Sequence, residues 1–298
     1  MLGVAAGLGA GAIDAGLNTY LAAHFGEGWM QWLHACYGIG ITLGPIIMTL
    51  ALTTLTSWRL GYRVVGGFQL ALAALLVLIL PLWNRKGSSA GIDEPKRLTD
   101  YKTPMVETLR RSSVWLSAAL FFMYVGAEVA LGTWCFSLLI ESRGINATLA
   151  GFFTGSYWGT FTFGRIVAGL YANRIGANRL VQGSLAVALL GAVLLIWNPT
   201  ELANLLAVAL IGFAIAPIFP ALMSGTSQRV GARFAANTIG MQMAAAGLGG
   251  ALIPGLLGFL ARQFSLEVIP ICLVVVYLGL FGLHRLSIRT SMTKEVIS

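Results

Sequence analysis

The chain has 298 residues, of which 57% are hydrophobic and only 10% charged, with a mean hydropathy of +0.81. A soluble domain carries about 25% charged residues, so this composition excludes a water-soluble globular protein and points to a polytopic membrane protein. The net charge of +8 would suit a nucleic-acid binder, but the basic residues lie in loops and at the ends of apolar runs, which excludes that class.

At about 1.5 Å per residue, roughly 20 apolar residues match a hydrocarbon core of about 30 Å. Nine runs meet that length: 2–25, 31–55, 64–83, 114–139, 148–171, 180–197, 202–223, 235–260 and 268–286. They lack the period-2 alternation of barrel strands, so the expected fold is all-α with about nine transmembrane helices. Residues 1–83 form a three-helix part and 84–113 a central loop, flexible at Gly87-Ser88-Ser89-Ala90-Gly91. A six-helix part, 114–287, and a tail, 288–298, follow.

Asp14 sits near the middle of the first run, and Gly7, Gly11, Asp14 and Asn18 share one helical face. An ionised carboxylate at that depth costs about 3 kcal/mol or more. It is retained either for an ion or substrate role or for hydrogen bonds between helices, while the glycines would admit a neighbouring helix. Glu128 lies comparably deep in the fourth run, as a hydroxyl acceptor, a second proton site or a structural hydrogen-bond partner. Two acids at one depth invite coupled titration.

Sugar pockets combine polar side chains with aromatic faces. Tyr37, Tyr124, Trp134, Tyr157 and Trp158 are mid-run aromatics that fit such a pocket or simple packing, and Asn18, His34 and Gln242 are further polar candidates. Tyr124, one turn before Glu128, shares its face, whereas Trp134 lies roughly opposite. Trp32, Trp58, Trp83, Trp115 and Trp197 mark helix ends, as interfacial anchors do. Cys36, Cys135 and Cys272 lie in apolar runs without metal-type spacing, and His24, His34 and His284 form no ligand cluster, so neither metal nor cofactor is expected. No nucleophile-and-base spacing or HExxH motif suggests an enzyme. The Gly-rich stretch at 7–11 lacks the preceding strand of a dinucleotide fingerprint and reads as helix packing. Asn146-Ala147-Thr148 is a glycosylation sequon, relevant in a eukaryotic source.

Assigning alternate loops to alternate sides places 15 Lys and Arg residues, Arg165, Arg174 and Arg229 among them, on one side and four on the other. The positive-inside rule makes the richer side cytoplasmic, with the C-terminus there, in a plasma or inner membrane. The chain opens in an apolar run with no Lys or Arg before Arg59. Three helices before the loop and six after it suggest a six-plus-six protein without its first three.

The stretch GLYANRIGANR at 169–179 resembles the loop signature between the second and third helices of a half in the major facilitator superfamily. Gly169, Ala172, Arg174 and Gly176 match, Asn173 replaces the usual Asp, and Arg165 precedes the motif by one turn. A closer resemblance is to the fucose:proton symporter family. It rests on Asp14 to Thr19 as a fourth-helix pattern, Tyr124 to Glu128 as the seventh, Ala150-Gly151-Phe152 as the eighth, Ile218-Phe219-Pro220 as the tenth, and GLGGALIPGLLG at 247–258 as the eleventh. Departures are Asp for Glu at 14, Thr for Pro at 19 and Glu for Gln at 128.

The resemblance implies a secondary active transporter working by alternating access. Its solute would be small, a sugar in the symporter reading, carried with H+ or else Na+, and Asp14 and Glu128 would couple the proton. The segment from Gly40 to Pro45 is similar instead to the fifth-helix GxxxGP pattern of drug:proton antiporters, without the glycines after the Pro. Efflux antiport therefore stays open as an alternative, as does a non-transporting membrane protein that kept the fold.

Overall fold

The computed structural model describes residues 2–55, 57–87 and 98–295, all α-helix apart from short turns. In order the helices are α1 (Leu2–His24), α2 (Glu27–Leu55), α3 (Trp58–Gly87), the short α4 (Met105–Leu109), α5 (Ser112–Ser137) and α6 (Ala147–Ile175). Then come α7 (Ala177–Trp197), α8 (Glu201–Ile215), α9 (Ile218–Ser224), the short α10 (Thr226–Val230), α11 (Ala232–Gln263) and α12 (Val268–Glu295). The flexible stretch expected at 87–91 falls, after Gly87, outside the described residues.

Six helical stretches among the described residues are both long and apolar enough to cross a membrane: Trp58–Pro81, Ser112–Ser142, Ala177–Trp197, Glu201–Ser224, Ala232–Gln263 and Val268–Arg289. The nine-span expectation thus holds by length, because α1, α2 and α6 run for 23, 29 and 29 residues. Of these, α6 is the least apolar, because Gly, Ser, Thr, Tyr and Trp fill much of its length.

The chain divides into two compact units, one of Met1–Ala35 with Arg97–Ser298 and one of Cys36–Lys96. In the second unit Gly61 packs on Met48 and Trp58 meets Tyr62 edge-on at 5.9 Å. Leu70, Val77 and Leu78 on α3 are exposed, as suits a lipid-facing helix.

The larger unit is built on close helix contacts at small residues, because lipid offers no hydrophobic drive and packing must supply the attraction. Along α5 and α11 a Cβ at Gly249 would collide with the Phe122 carbonyl oxygen. Gly126 faces Ile253, and Gly258 sits under the Trp134 ring, whose Nε1 donates to Pro254 O at 2.9 Å. α6 and α8 touch likewise at Gly164 against Phe213 O and at Gly212 against Tyr157 O. The glycines expected on the face of α1 behave differently. Gly7 and Gly11 have no described neighbour within 4 Å of an added Cβ, because that face of α1 is exposed.

At one end of this unit α5 closes in a π-helical turn, Leu138–Ser142, and Arg143 follows. Arg143 donates to Glu267 at 2.7 and 2.9 Å, to Leu195 O at 2.8 Å and to Asn204 Oδ1, so one guanidinium ties the ends of α5, α7, α8 and the α11–α12 loop.

Gly249→Val is expected to lower the thermal midpoint in detergent, because overpacking against backbone costs about 1–3 kcal/mol, whereas Gly247→Ala, facing open space, leaves it unchanged. A second prediction concerns pH. The hydrogen bonds from Arg143 hold the Glu267 carboxyl below its ordinary value. Its stabilisation is therefore complete above the ordinary carboxylate range, about pH 4.3, and is lost as pH falls through the lowered folded value. Glu267→Gln should remove this acid-side loss and lower stability at pH 7 by up to about 1 kcal/mol, since the group is partly exposed; thermal unfolding at pH 3 to 7 measures both.

Candidate functional site

Proline at 217 and 220 breaks the seventh apolar run, 202–223, into α8 and α9. Neither Pro can donate a backbone hydrogen bond, so the carbonyls of Phe213 and Ala216 lose their helical partners. Buried in a membrane protein, an unsatisfied carbonyl costs several kcal/mol. Three consecutive carbonyls at the step instead receive side chains from three other helices. Tyr124 on α5 donates its hydroxyl to Ile215 O at 2.9 Å. Arg165 on α6 donates Nε to Ala216 O at 3.3 Å, and Gln31 on α2 donates Nε2 to Pro217 O at 3.0 Å. The orphaned Phe213 carbonyl lies against Gly164, where a Cβ would approach to 2.7 Å.

Just beyond the step stands Phe219. His34 meets it edge-on at 4.8 Å, Phe121 at 4.9 Å and Tyr124 at 6.0 Å. His34 Nε2 lies 3.1 Å from Asn18 Oδ1, and Asn18 Nδ2 donates to Asp14 Oδ1 at 2.9 Å. On the other side Glu128, 8% exposed, faces Tyr124 and the Arg165 charge, and its own carbonyl accepts the Tyr157 hydroxyl at 2.8 Å. Asp14, Asn18, His34, Arg165, Tyr124 and Glu128 thus converge on one cluster, with Asp14 at its exposed edge and Asn18 buried behind it.

Other expected site residues lie elsewhere. Trp134 is a packing residue on α11, as its bond to Pro254 requires. Trp158 covers Gly132 on α5 and meets Tyr157 and Phe161 edge-on at 4.9 and 5.6 Å. Gln242 belongs to a separate buried network, donating to Ser117 Oγ at 2.7 Å and Thr226 Oγ1 at 3.0 Å beside Arg229. Tyr37 lies in the second unit and is exposed.

Two arginines assigned to loops are interior groups. Arg165, 2% exposed, sits within α6 with its guanidinium 4.1 Å from the Phe161 ring centroid and a further bond to His34 O at 3.2 Å. Arg229 is buried and donates to Leu222 O. An arginine inside an apolar run is itself a functional signal, and that signal could have found Arg165. Gln31 and Tyr277, both fully buried, were not singled out, because an isolated amide or tyrosine in a helix has no local signature.

The loop motif makes a second polar junction. Asn173 Oδ1 accepts the Gly28 backbone N–H at 2.9 Å, and Glu27 Oε1 accepts the Ala177 N–H at 2.8 Å. The start of α2 thereby has one open N–H satisfied from the end of α6, and the start of α7 has one satisfied from the start of α2. Gly169 leaves room for the Trp32 indole, 2.8 Å from where a Cβ would stand, and Gly176 turns the chain at φ 81°. Arg174 is exposed.

Curated relatives share sequence with most of the chain. Bypass of stop codon protein 6 of Saccharomyces cerevisiae is 24% identical over 93% of this chain and 61% of its own length. Sodium-dependent glucose transporter 1 of Homo sapiens is 25% identical over 87% of this chain and 55% of its own. The chain therefore spans somewhat more than half the length of these relatives. Among solved structures, the transporter FucP in the outward conformation superposes with a TM-score of 0.76 at 14% identity, covering 95% of this chain and 74% of that one. A second structure, of the E. coli fucose:proton symporter FucP, gives 0.71 at 15%, covering 95% and 75%. Residues 1–254 match the profile of the Major Facilitator Superfamily. Shared helix order with a solved member and a family match over most of its length place this chain in one lineage: it belongs to the Major Facilitator Superfamily.

Proposed function

We propose that this protein is a secondary active transporter that takes up a sugar together with protons by alternating access, with its C-terminus in the cytoplasm of a plasma or inner membrane. The observation that carries this reading is the convergence of two carboxylates from different helices, Asp14 and Glu128, on the polar and aromatic cluster at the α8–α9 step. Discontinuous helices with capped carbonyls are where transporters of this architecture bind substrates and coupling ions. The similarity to a sodium-dependent glucose transporter and to a fucose:proton symporter supports a sugar as the solute.

In this cycle Asp14, at the exposed edge, takes a proton from the outer side. The sugar then binds with hydroxyls on Asn18 and Glu128 and a ring face on Tyr124, and proton release inside resets the carrier. The junction of Asn173 with Gly28 and of Glu27 with Ala177 acts as the latch on the cytoplasmic side. It must open for release.

Proteoliposomes containing the purified full chain are expected to accumulate labelled D-glucose or L-fucose when an inward proton gradient is imposed. Asp14→Asn should reduce gradient-driven accumulation to background while sparing solute exchange, because a neutral amide cannot cycle a proton. Accumulation driven by sodium alone, or dye export without sugar uptake, would overturn the reading. For the latch, Asn173→Ala should lengthen the distance between spin labels at positions 24 and 179. Asn173→Asp should shorten it, since a charged acceptor makes a hydrogen bond roughly twice as strong.

A further inference from the structure

At the end of the larger unit where α5 and α7 begin, opposite Arg143, a buried polar network surrounds a second arginine. Arg229, on the short α10 between two spans, is 5% exposed. It donates to Leu222 O at the end of α9, to Thr226 Oγ1 at 3.2 Å and to Ser117 Oγ on α5 at 3.4 Å. Gln242 reaches the same two hydroxyls from α11, at 2.7 Å to Ser117 and 3.0 Å to Thr226. Gly225 leaves room for the guanidinium, whose Nη1 lies 2.8 Å from where a Cβ would stand. Every one of these partners is neutral.

In this respect Arg229 differs from the other interior arginines. Arg143 is paired with Glu267, and Arg165 faces the Glu128 charge. Among the described residues no carboxylate acts on Arg229, and burial pushes its pKa down only to about 10, so it is a cation at neutral pH. A buried charge is costly unless it is paired. Two donors beside it are also unspent. Arg229 Nε is buried with no hydrogen-bond partner among the described residues, and so are both ring nitrogens of His284 on α12. The His284 ring, 1% exposed, faces the Arg229 charge and the Asn178 backbone in the first turn of α7. A neutral imidazole always carries one N–H. One positive charge and two N–H donors thus meet in the interior without an acceptor.

We propose that Arg229 and His284 bind a small monovalent anion of the chloride class, held by Arg229 Nε and one imidazole N–H. The single charge matches that of the guanidinium, and hydrogen bonds to an ion are the stronger kind. A phosphate, with more oxygens to satisfy, would need more donors than these two groups supply. The anion joins α10 to α12 while Arg229 keeps hold of α9 through Leu222 O, so its effect is to brace this end of the larger unit. The site is separate from the cluster at the α8–α9 step and depends neither on the role of Asp14 nor on the identity of the solute.

The purified full chain in detergent tests this at constant ionic strength, with gluconate replaced stepwise by chloride. A ligand that binds the folded state stabilises it by mass action, so the thermal midpoint should rise saturably with chloride, by about 2 °C or more. Radiolabelled chloride should bind saturably in equilibrium dialysis. Arg229→Gln should abolish both responses. Because that change also removes the bonds to Leu222, Thr226 and Ser117, His284→Phe, which leaves them in place, keeps the test independent of folding. It should weaken chloride binding about tenfold or more, as loss of a hydrogen bond to a charged group does. Arg285→Gln, which removes an exposed charge one residue away on α12, should leave both responses intact. The absence of a saturable chloride response in the wild-type chain overturns the proposal. So does a response that survives His284→Phe unchanged, one that is lost in Arg285→Gln, or stabilisation by phosphate and not by chloride.

Discussion

The structure depends on the backbone step between Ile215 and Ile218. Two prolines take the helical donors from Phe213 O and Ala216 O, and a membrane interior supplies no water to replace them. Arg165 donates to Ala216 O, while Tyr124 and Gln31 donate to the carbonyls on either side, of which Pro217 O also keeps the Ala221 N–H. A single break in one helix thus dictates where α2, α5 and α6 place polar side chains. Arg165 shows the economy of this arrangement. A buried guanidinium is costly unless its charge is met, and the Glu128 charge, carbonyl dipoles at Ala216 and His34 and the face of Phe161 surround it.

Two kinds of contact hold the larger unit together, and they divide the labour. Within residues 112–289 the helices approach at glycines until backbone meets backbone, as at Gly249 with Phe122 and Gly212 with Tyr157. Such contacts are rigid, because any shift opens a void or forces a clash. α1 and the start of α2 join this body chiefly through polar pairs: Asn18 with His34, Gln31 with Pro217, Gly28 with Asn173 and Glu27 with Ala177. Hydrogen bonds between helices in lipid are worth on the order of 0.6–2 kcal/mol each. A small set of them can be exchanged one for another, which an interlocked glycine seam cannot.

Much of the fold was legible from composition and spacing. Helix rise against bilayer thickness located the long helices to within a few residues, since length and apolarity are local properties. The same reasoning singled out Asp14, Asn18, Tyr124 and Glu128, because acids and amides deep in apolar runs are conspicuous. For Trp134, Trp158 and Gln242 it could not name the contacts, because a helical wheel gives a direction but not the neighbour that fills it. Trp134 points at Pro254, a helix away and 120 residues distant in sequence. Arg165 was mistaken for a loop charge through its nearness to the motif at 169–179, although α6 continues past it to Ile175.

By itself, then, the sequence determined that this is an all-helical membrane protein of the Major Facilitator Superfamily with acids in its spans, because solvent and bilayer thickness act on each segment separately. Tertiary structure alone decided which of the polar residues meet. The step at Ala216-Pro217 acquires its donors from Gln31, Tyr124 and Arg165, and His34 comes to rest between Asn18 and Phe219. Partners so far apart in the chain are selected by the demand that every buried carbonyl and amide find a mate. That demand is met only when all the helices are in place.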